Sequence, residues 1–560
     1  MGSMNDAVDL SNISEIELQI MWNRLLSLVE EQGQTLIRTA FGTSAREAAD
    51  ISAGVFDLRG RMIAQAVTGT PGHINTMALS VGHFIDAFPL DTWQEGDFYI
   101  TNDPWKGTGH LYDIVVVSPT FLDGRMVAIF ACTTHVVDMG GIGQSAEGRQ
   151  IYHEGLFIPP MKLASAGKAH EDLLGIIRAN VRESVQVIGD VYALMACNDI
   201  GSRRLVEMMR EFRLDGIETL SDMIITRSRA AMTEAISKLP KGSWQASMRI
   251  DGYEAPIDLV ARVTIGEDTI EVDWSGTSGM SGYGINVPLC YAQAYTTFGV
   301  NCALAPHVPN NAGSLDAVRV TAPLGCILNA PPPAAVSARS SVGQMLPDVV
   351  YGCLDQAIPG LVPAEGTSNN WVLKFLAGHG VTGIGEEASS SFRAVSCHAG
   401  GVGARPKQDG LSAVPFPSGV RNISVEVTES ITPLVFWRKE LRQDSGGAGR
   451  QRGGLGQIME VGSRDDAPFA IFAVFERVKF APRGRSGGGG GALGSVALKS
   501  GTALKPKGLA VIPAGDRVVF QMPGGGGHGA AAERDPEAVK RDVRLGYVSA
   551  AAAARDYAFE

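Results

Sequence analysis

The chain predicts a multi-domain α+β fold, with helical segments in the N-terminal part and β-rich middle and C-terminal parts. Its 560 residues exceed what one hydrophobic core usually organises. Apolar residues recur at helical spacing over long stretches before residue 240. Beyond that point, short alternating runs are punctuated by turn residues.

In chain order, Ser14 and Glu17 form a capping-box pattern ahead of an apolar stripe, which predicts a helix over about Ser14 to Ala40. The runs "DFYITNDPW" and "DIVVVSPTFLDGRMVAIFACTTH" read as strands, with Asp123-Gly124 as a hairpin turn. Helical patterns return from about Glu171 to Phe212 and from Ser221 to Lys238. They complete a first domain, residues 1–240. A β-rich middle domain, 241–365, follows from the alternation in "SMRIDGYEAPIDLVARVTIGEDTIEVDW". It closes in a helix, "SSVGQMLPDVVYGCLDQAIPG", that Pro359 and Pro363 end. The C-terminal part, 366–560, alternates short strands with Gly clusters and ends in two short helices within "DPEAVKRDVRLGYVSAAAAARDY". The glycines, 68 in all, are expected to form turns, gathered at one end of a sheet.

Acidic residues outnumber Lys and Arg, 59 to 48, for a net charge of -11. That leaves no basic footprint, which argues against nucleic acid and against an anionic membrane surface. Seven scattered cysteines without any CxxC spacing read as reduced and mostly core. No apolar run reaches the roughly 18 residues of a membrane span, and "MGSMNDAVDL" has neither basic nor apolar leader character. The expected location is cytoplasmic. Met1-Gly2-Ser3 reads as a cloning remnant, and Asp6 breaks a myristoylation pattern.

The chemistry gathers at "GTGHLYDIVVV" and "CTTHVVDMGG". A hairpin centred on Asp123-Gly124 sets Asp113 opposite Thr134, with His135 next in line and His110 just outside the first strand. Two imidazoles and a carboxylate at one rigid edge suit a divalent metal such as Zn, Mn or Fe. A fourth ligand could come from Asp50 or Asp57 in "SAREAADISAGVFD". Elsewhere, "GGGGHG" around His528 lacks the order of a phosphate-binding P-loop. The Ser of "RQDSGGAGR" lacks the G-x-S-x-G setting of a nucleophile. Adjacency does not aim the Cys397 thiol at His398, and Cys397 reads as core.

Several long motifs, in order, resemble the hydantoinase B family, which includes the corresponding part of ATP-dependent oxoprolinases and is distantly similar to the acetone carboxylase alpha subunit. They are "SAREAADISAGVFDLRGRMIAQ", "PGHINTM", "TNDPWKGTGHLYDIVVVSPTF", "THVVDMGG", "RANVRESVQVIGD", "DSGGAGRQRGGLG" and "PGGGGHGAAAERDPEAVKRDVRLGYVS". One departure is "GTGHLYD", where many relatives read closer to "GGTHLPD"; the His and Asp are kept.

The resemblance implies that His110, Asp113 and His135 are metal ligands for Zn or Mn, with Asp50 of the E-x-x-D-x-S pattern as the fourth. It implies Asp138 as an orienter or base, with a loop-capping Asp as the alternative. It also places His73 and Glu154 at the site without defining their roles. Arg442 and Asp444 would either pair with each other or touch phosphate. A hydantoinase A-like partner would bind ATP with Mg and phosphorylate a small cyclic amide, and this chain would complete the ring opening. The expected assembly is a heterotetramer of two subunits of each type. The alternatives are a subunit of an ATP-dependent ketone carboxylase and a non-catalytic scaffold for the ATP-binding subunit.

Overall fold

The computed structural model describes residues 13–67, 69–378 and 392–559. The readings of Met1-Gly2-Ser3 and Asp6 fall outside these residues. Among the described residues, no helix is long and apolar enough to cross a membrane. The fold is mixed α and β, with several antiparallel or mixed sheets.

The N-terminal part is built on seven strands: β1 (Ile51–Phe56), β2 (Met62–Gln65), β3 (Phe98–Thr101), β4 (Asp113–Leu122), β5 (Arg125–His135), β6 (Met161–Ser165) and β7 (Lys168–Ala169). Their order across the sheet is β2-β1-β5-β4-β3-β6-β7. Helices cover both faces, which explains the unbroken valine run of β4. Ile114 and Val116 pack with Leu36 and Leu194 on helices Glu15–Thr39 and Ser184–Glu211. Val115 and Val117 pack with Ile74, Met77 and Phe84 of helix Pro71–Ala87 on the other face.

Ser14 caps the first helix through the reciprocal box with Glu17. The Glu171–Phe212 pattern divides into helices Glu171–Asn180 and Ser184–Glu211, and Arg182 between them bonds Asp138. Asp123 and Gly124 both have positive φ, 51° and 81°, as a two-residue hairpin turn requires. The predicted register holds only near this turn. A bulge between Thr120 and Phe121 shifts it by one residue, so Asp113 pairs with His135 rather than Thr134.

The next sheet runs Val318–Thr321, Ile270–Asp273, Ile257–Ile265, Gly242–Ile250. Helices Leu289–Leu304 and Leu346–Ala357 share its core through Tyr295, Val300, Val349 and Leu354. Two further four-stranded sheets enclose a common core containing Trp371, Phe375, Ile471, Met459, Val518 and Phe520.

Most of the clustered glycines are not turn formers. They lie in segments outside helices and strands that bond backbone to backbone: Gly454 N to Val402 O, Gly525 N to Gly454 O and Gly447 N to Gly525 O, each at 2.9 Å. A Cβ on Gly453 would lie 1.9 Å from Gly525 O, and one on Gly524 would lie 1.8 Å from Ser445 O. The requirement is close approach of chains, as at the axis of collagen, and composition alone does not distinguish it from a need for turns.

Candidate functional site

Side chains alternate across a strand, so Asp113 shares its face with Val115 and Val117, and His135 shares that of Ile129 and Ala131. Both therefore point toward helix Pro71–Ala87, whose first turn carries His73. Asp50, just before β1, sits beside His135 in the sheet, its carbonyl accepting the His135 N–H at 3.1 Å. One end of one sheet face thus gathers all four groups.

Asp113 is the centre of the cluster and is fully buried. Its Oδ1 lies 2.8 Å from His110 Nε2 and 2.9 Å from His135 Nδ1. Its Oδ2 accepts from Thr108 Oγ1 at 2.8 Å and Arg339 Nη2 at 2.5 Å, and lies 3.0 Å from His73 Nε2. Arg339 also donates from Nε to Thr108 O at 2.8 Å and stacks on Tyr291, 4.2 Å from the ring centroid. Gly109 (φ 93°) leaves room for that guanidinium, since a Cβ there would lie 2.6 Å from Arg339 Nε.

Three observations fit a divalent metal here. One ligand atom from each of His110, Asp113 and His135 lies within 4.8 Å of the others. His110 Nδ1 is bonded to Ser337 O at 2.9 Å, while its buried Nε2 faces Asp113 Oδ1 at 2.8 Å with no hydrogen bond between them, as two ligand atoms of one cation would. An anchored Nδ1 and a free Nε2 lone pair define a ligand tautomer. Burial, with Arg339 nearby, also pushes the His110 pKa down to about 3, keeping the imidazole neutral. Burial works against the Asp113 carboxylate, but the positive charge around it, Arg339 and His73 included, outweighs it and holds the group well below the usual carboxylate range. Burial likewise opposes charge on His73, yet Asp113 and Asp50 leave its pKa raised.

Asp50 and His73 line the same cavity, of about 70 Å³, as His110 and His135. Asp50 Oδ1 lies 3.5 Å from His73 Nδ1, so His73 stands between the two carboxylates. Val372, Val395, Val420 and Ile423 supply an apolar wall, and Cys397 opens onto this cavity. Arg339, Tyr291 and Gln144, whose Nε2 lies 3.2 Å from His135 Nε2, are among its polar lining. None of these was evident in the sequence, because each comes from a segment without metal-ligand spacing.

The remaining candidates lie elsewhere. Asp57 bonds Arg61 at the far end of β1, which removes it as the alternative ligand to Asp50. Asp138 accepts from Gly140 N at 3.1 Å and pairs with Arg182 at 2.9 Å, the bonding of a loop-capping Asp. Glu154 is buried, and its Oε1 accepts the N–H groups of Val336 and Ser337 at 2.8 Å each. Burial pushes its pKa up to about 8. Arg442 donates to the carbonyls of Leu493 and Met522, while Asp444 accepts from Ser549 N, so these two do not pair with each other.

The Hydantoinase B/oxoprolinase family model matches residues 14–531. The chain is 27% identical to the caprolactamase subunit beta of Pseudomonas jessenii, over 98% of this chain and 96% of that one. Among solved structures, it resembles the ATP-dependent caprolactamase of Pseudomonas jessenii, with a TM-score of 0.87 at 25% identity, covering 98% and 96% of the two chains. Its fold is also that of a nucleotide-free acetone carboxylase, with a TM-score of 0.84 at 20% identity, over 99% of this chain and 80% of the other. A match over nearly the whole length, in sequence and in fold, places this chain in the hydantoinase B/oxoprolinase family.

Proposed function

We propose that this chain is the metal-binding, B-type subunit of an ATP-dependent amidohydrolase that opens a hydantoin, oxoproline or other lactam ring. An A-type partner would bind ATP with Mg and phosphorylate the amide oxygen, turning a poor electrophile into one with a good leaving group. The assembly would hold two subunits of each type and work in the cytoplasm. The observation that carries the reading is the buried His110–Asp113–His135 cluster, in which His110 Nε2 and Asp113 Oδ1 face each other without a hydrogen bond, in a chain of this family.

His110, Asp113 and His135 would hold Zn or Mn, with Asp50 as the fourth ligand. When bound, the ion supplies Lewis acidity toward water and toward the oxygen of the activated amide. Arg339 and Thr108 fix Asp113 through Oδ2 and leave Oδ1 facing the two imidazoles. Ser337 O fixes the His110 tautomer. The valine wall would take the hydrocarbon edge of the ring and keep bulk water from it.

The likeness in fold to acetone carboxylase favours a second reading, a ketone carboxylase subunit. The test is turnover of this chain co-expressed with its A-type partner, given ATP, labelled bicarbonate and a panel of cyclic amides and ketones. Ring-opened amino acid without label is expected. Label fixed into a β-keto acid would replace the hydrolase with the carboxylase. Full turnover by an assembled His110→Ala complex would leave only a scaffold.

A further inference from the structure

A second cavity, of about 560 Å³, adjoins the first, and Gln144 and Val395 line both. Its walls come from the loop after β5, from Arg182, and from the hairpin strands Trp371–Ala377 and Phe392–His398. Lys374, Arg182 and Arg393 face it, together with the carboxylates of Asp138 and Glu147.

The charges do not cancel. Asp138 is matched by Arg182 and by two backbone N–H groups, while Glu147 accepts from the neutral Tyr253 hydroxyl and keeps its charge, so three cations face two carboxylates. Lys374 has no described carboxylate within ion-pair distance: its Nζ donates to Gln144 O at 2.5 Å and lies 5.6 Å from the centroid of the Phe472 ring, and the buried Glu154 carboxyl acts on it only from farther away. Arg393, exposed, faces the same cavity. A half-buried ammonium whose partners are a carbonyl and a ring remains short of negative charge. Burial pushes its pKa down to about 7, which an anion beside it would reverse. Lys374 also connects to the metal candidates. The residue whose carbonyl it holds, Gln144, touches His135 with its side chain.

We infer that this outer cavity is a phosphate seat, in which Lys374 and Arg393, backed by the neutralised Asp138–Arg182 pair, hold the phosphoryl group of the activated amide while its ring occupies the inner cavity. The inference rests on the proposed function, in which the substrate arrives phosphorylated. Inorganic phosphate, the other product, presents the same tetrahedral dianion to the same groups.

The test titrates inorganic phosphate into the metal-loaded, full-length chain in its complex, and measures phosphate inhibition of ring opening in parallel. Saturable binding is expected, weakened at least tenfold by Lys374→Met, at least threefold by Arg393→Met, and unchanged by Lys540→Met on the exposed face of a C-terminal helix. If phosphate inhibits ring opening with Lys374-dependent strength, the seat holds the reacting phosphoryl group. If Lys374→Met weakens direct binding but leaves that inhibition unchanged, the seat does not serve the reacting group and the inference fails. Arg393 lies exposed at the rim, so its variant keeps the test decisive where Lys374→Met disturbs folding. The inference is overturned if no saturable binding occurs, if both variants bind phosphate like the parent, or if chelating the metal abolishes binding that the variants retain. A complex that opens rings while Lys374→Met changes nothing rejects the seat and keeps the proposed function. A complex that opens no ring, yet binds phosphate through Lys374, rejects that function and with it the assignment of the seat to the activated amide, leaving a phosphate site only.

Discussion

Glu154 and His110 are joined through a single loop: the Glu154 carboxyl holds the Val336 and Ser337 N–H groups at 2.8 Å each, and the Ser337 carbonyl lies 2.9 Å from His110 Nδ1. Glu154 therefore acts on the candidate metal site as a positioning residue. Glu154→Ala would leave two buried N–H groups unpaired, at about 1–3 kcal/mol each, and release the carbonyl that orients His110. Metal affinity should fall about 10–100-fold. Glu154→Gln keeps an acceptor in place and should hold metal within a few-fold of the parent. Equilibrium dialysis with zinc and manganese compares the three, and parental affinity in the alanine variant would sink this role.

The same carboxyl makes stability depend on pH. Its pKa is about 8 in the fold and ordinary when unfolded, so between about pH 4.5 and 8 the folded state keeps a proton that the unfolded state has lost. Stability from this group is greatest below that window and declines as pH rises through it, by up to ~1.4 kcal/mol per pH unit. Glu154→Gln lacks the titration. Its melting temperature should gain on the parent's from pH 5 to pH 8, then hold a constant difference. A difference that is flat across the window would mean the carboxyl is not raised.

The metal set should respond unevenly to mutation. His110→Ala and His135→Ala each remove a ligand atom from the three-residue cluster and should lose the bound ion on gel filtration. Asp113→Asn should do worse. It removes the charge that Arg339 and His73 share, and breaking a buried ion pair costs roughly 3–5 kcal/mol. Metal analysis and thermal melting separate the two effects. An Asp113→Asn chain that melts with the parent would show that Arg339 is not relying on this carboxylate.

Asp138 should behave as a structural residue. Asp138→Asn keeps the cap on Gly140 but weakens the pair with Arg182, which is 40% exposed in its side chain, so a loss of about 0.5–1.5 kcal/mol is expected with metal content unchanged. A large fall in kcat without loss of stability would instead make Asp138 a base in the reaction.

The hairpin was legible in the sequence because Asp123-Gly124 and the flanking apolar runs are local signals, and they brought Asp113 and His135 to one edge. The bulge at Thr120 was not, because one extra residue leaves no mark on hydrophobic alternation. Arg339 was invisible for a different reason: it meets Asp113 across 226 residues of chain, and no local pattern encodes such a contact. Lys374 and Gln144 share that difficulty. The Gly clusters misled because Gly serves turns and close packing equally well.

That ambiguity yields a paired prediction. A Cβ on Gly453 would lie 1.9 Å from Gly525 O, on backbone that is itself bonded to neighbouring segments, so nothing nearby can swing aside. Gly453→Ala should destabilise by ~3 kcal/mol or more, as overpacking against fixed atoms does. Gly82 lies in helix Pro71–Ala87 with nothing within 4 Å of its added Cβ, so Gly82→Ala should stabilise by about 0.5–1 kcal/mol through the unfolded chain and helix propensity. Thermal melting of both variants decides between the two roles of glycine. If Gly453→Ala melts with the parent, the segments are loosely associated loops; a steep loss beside a gain at Gly82 means that these glycines are there to let backbones touch.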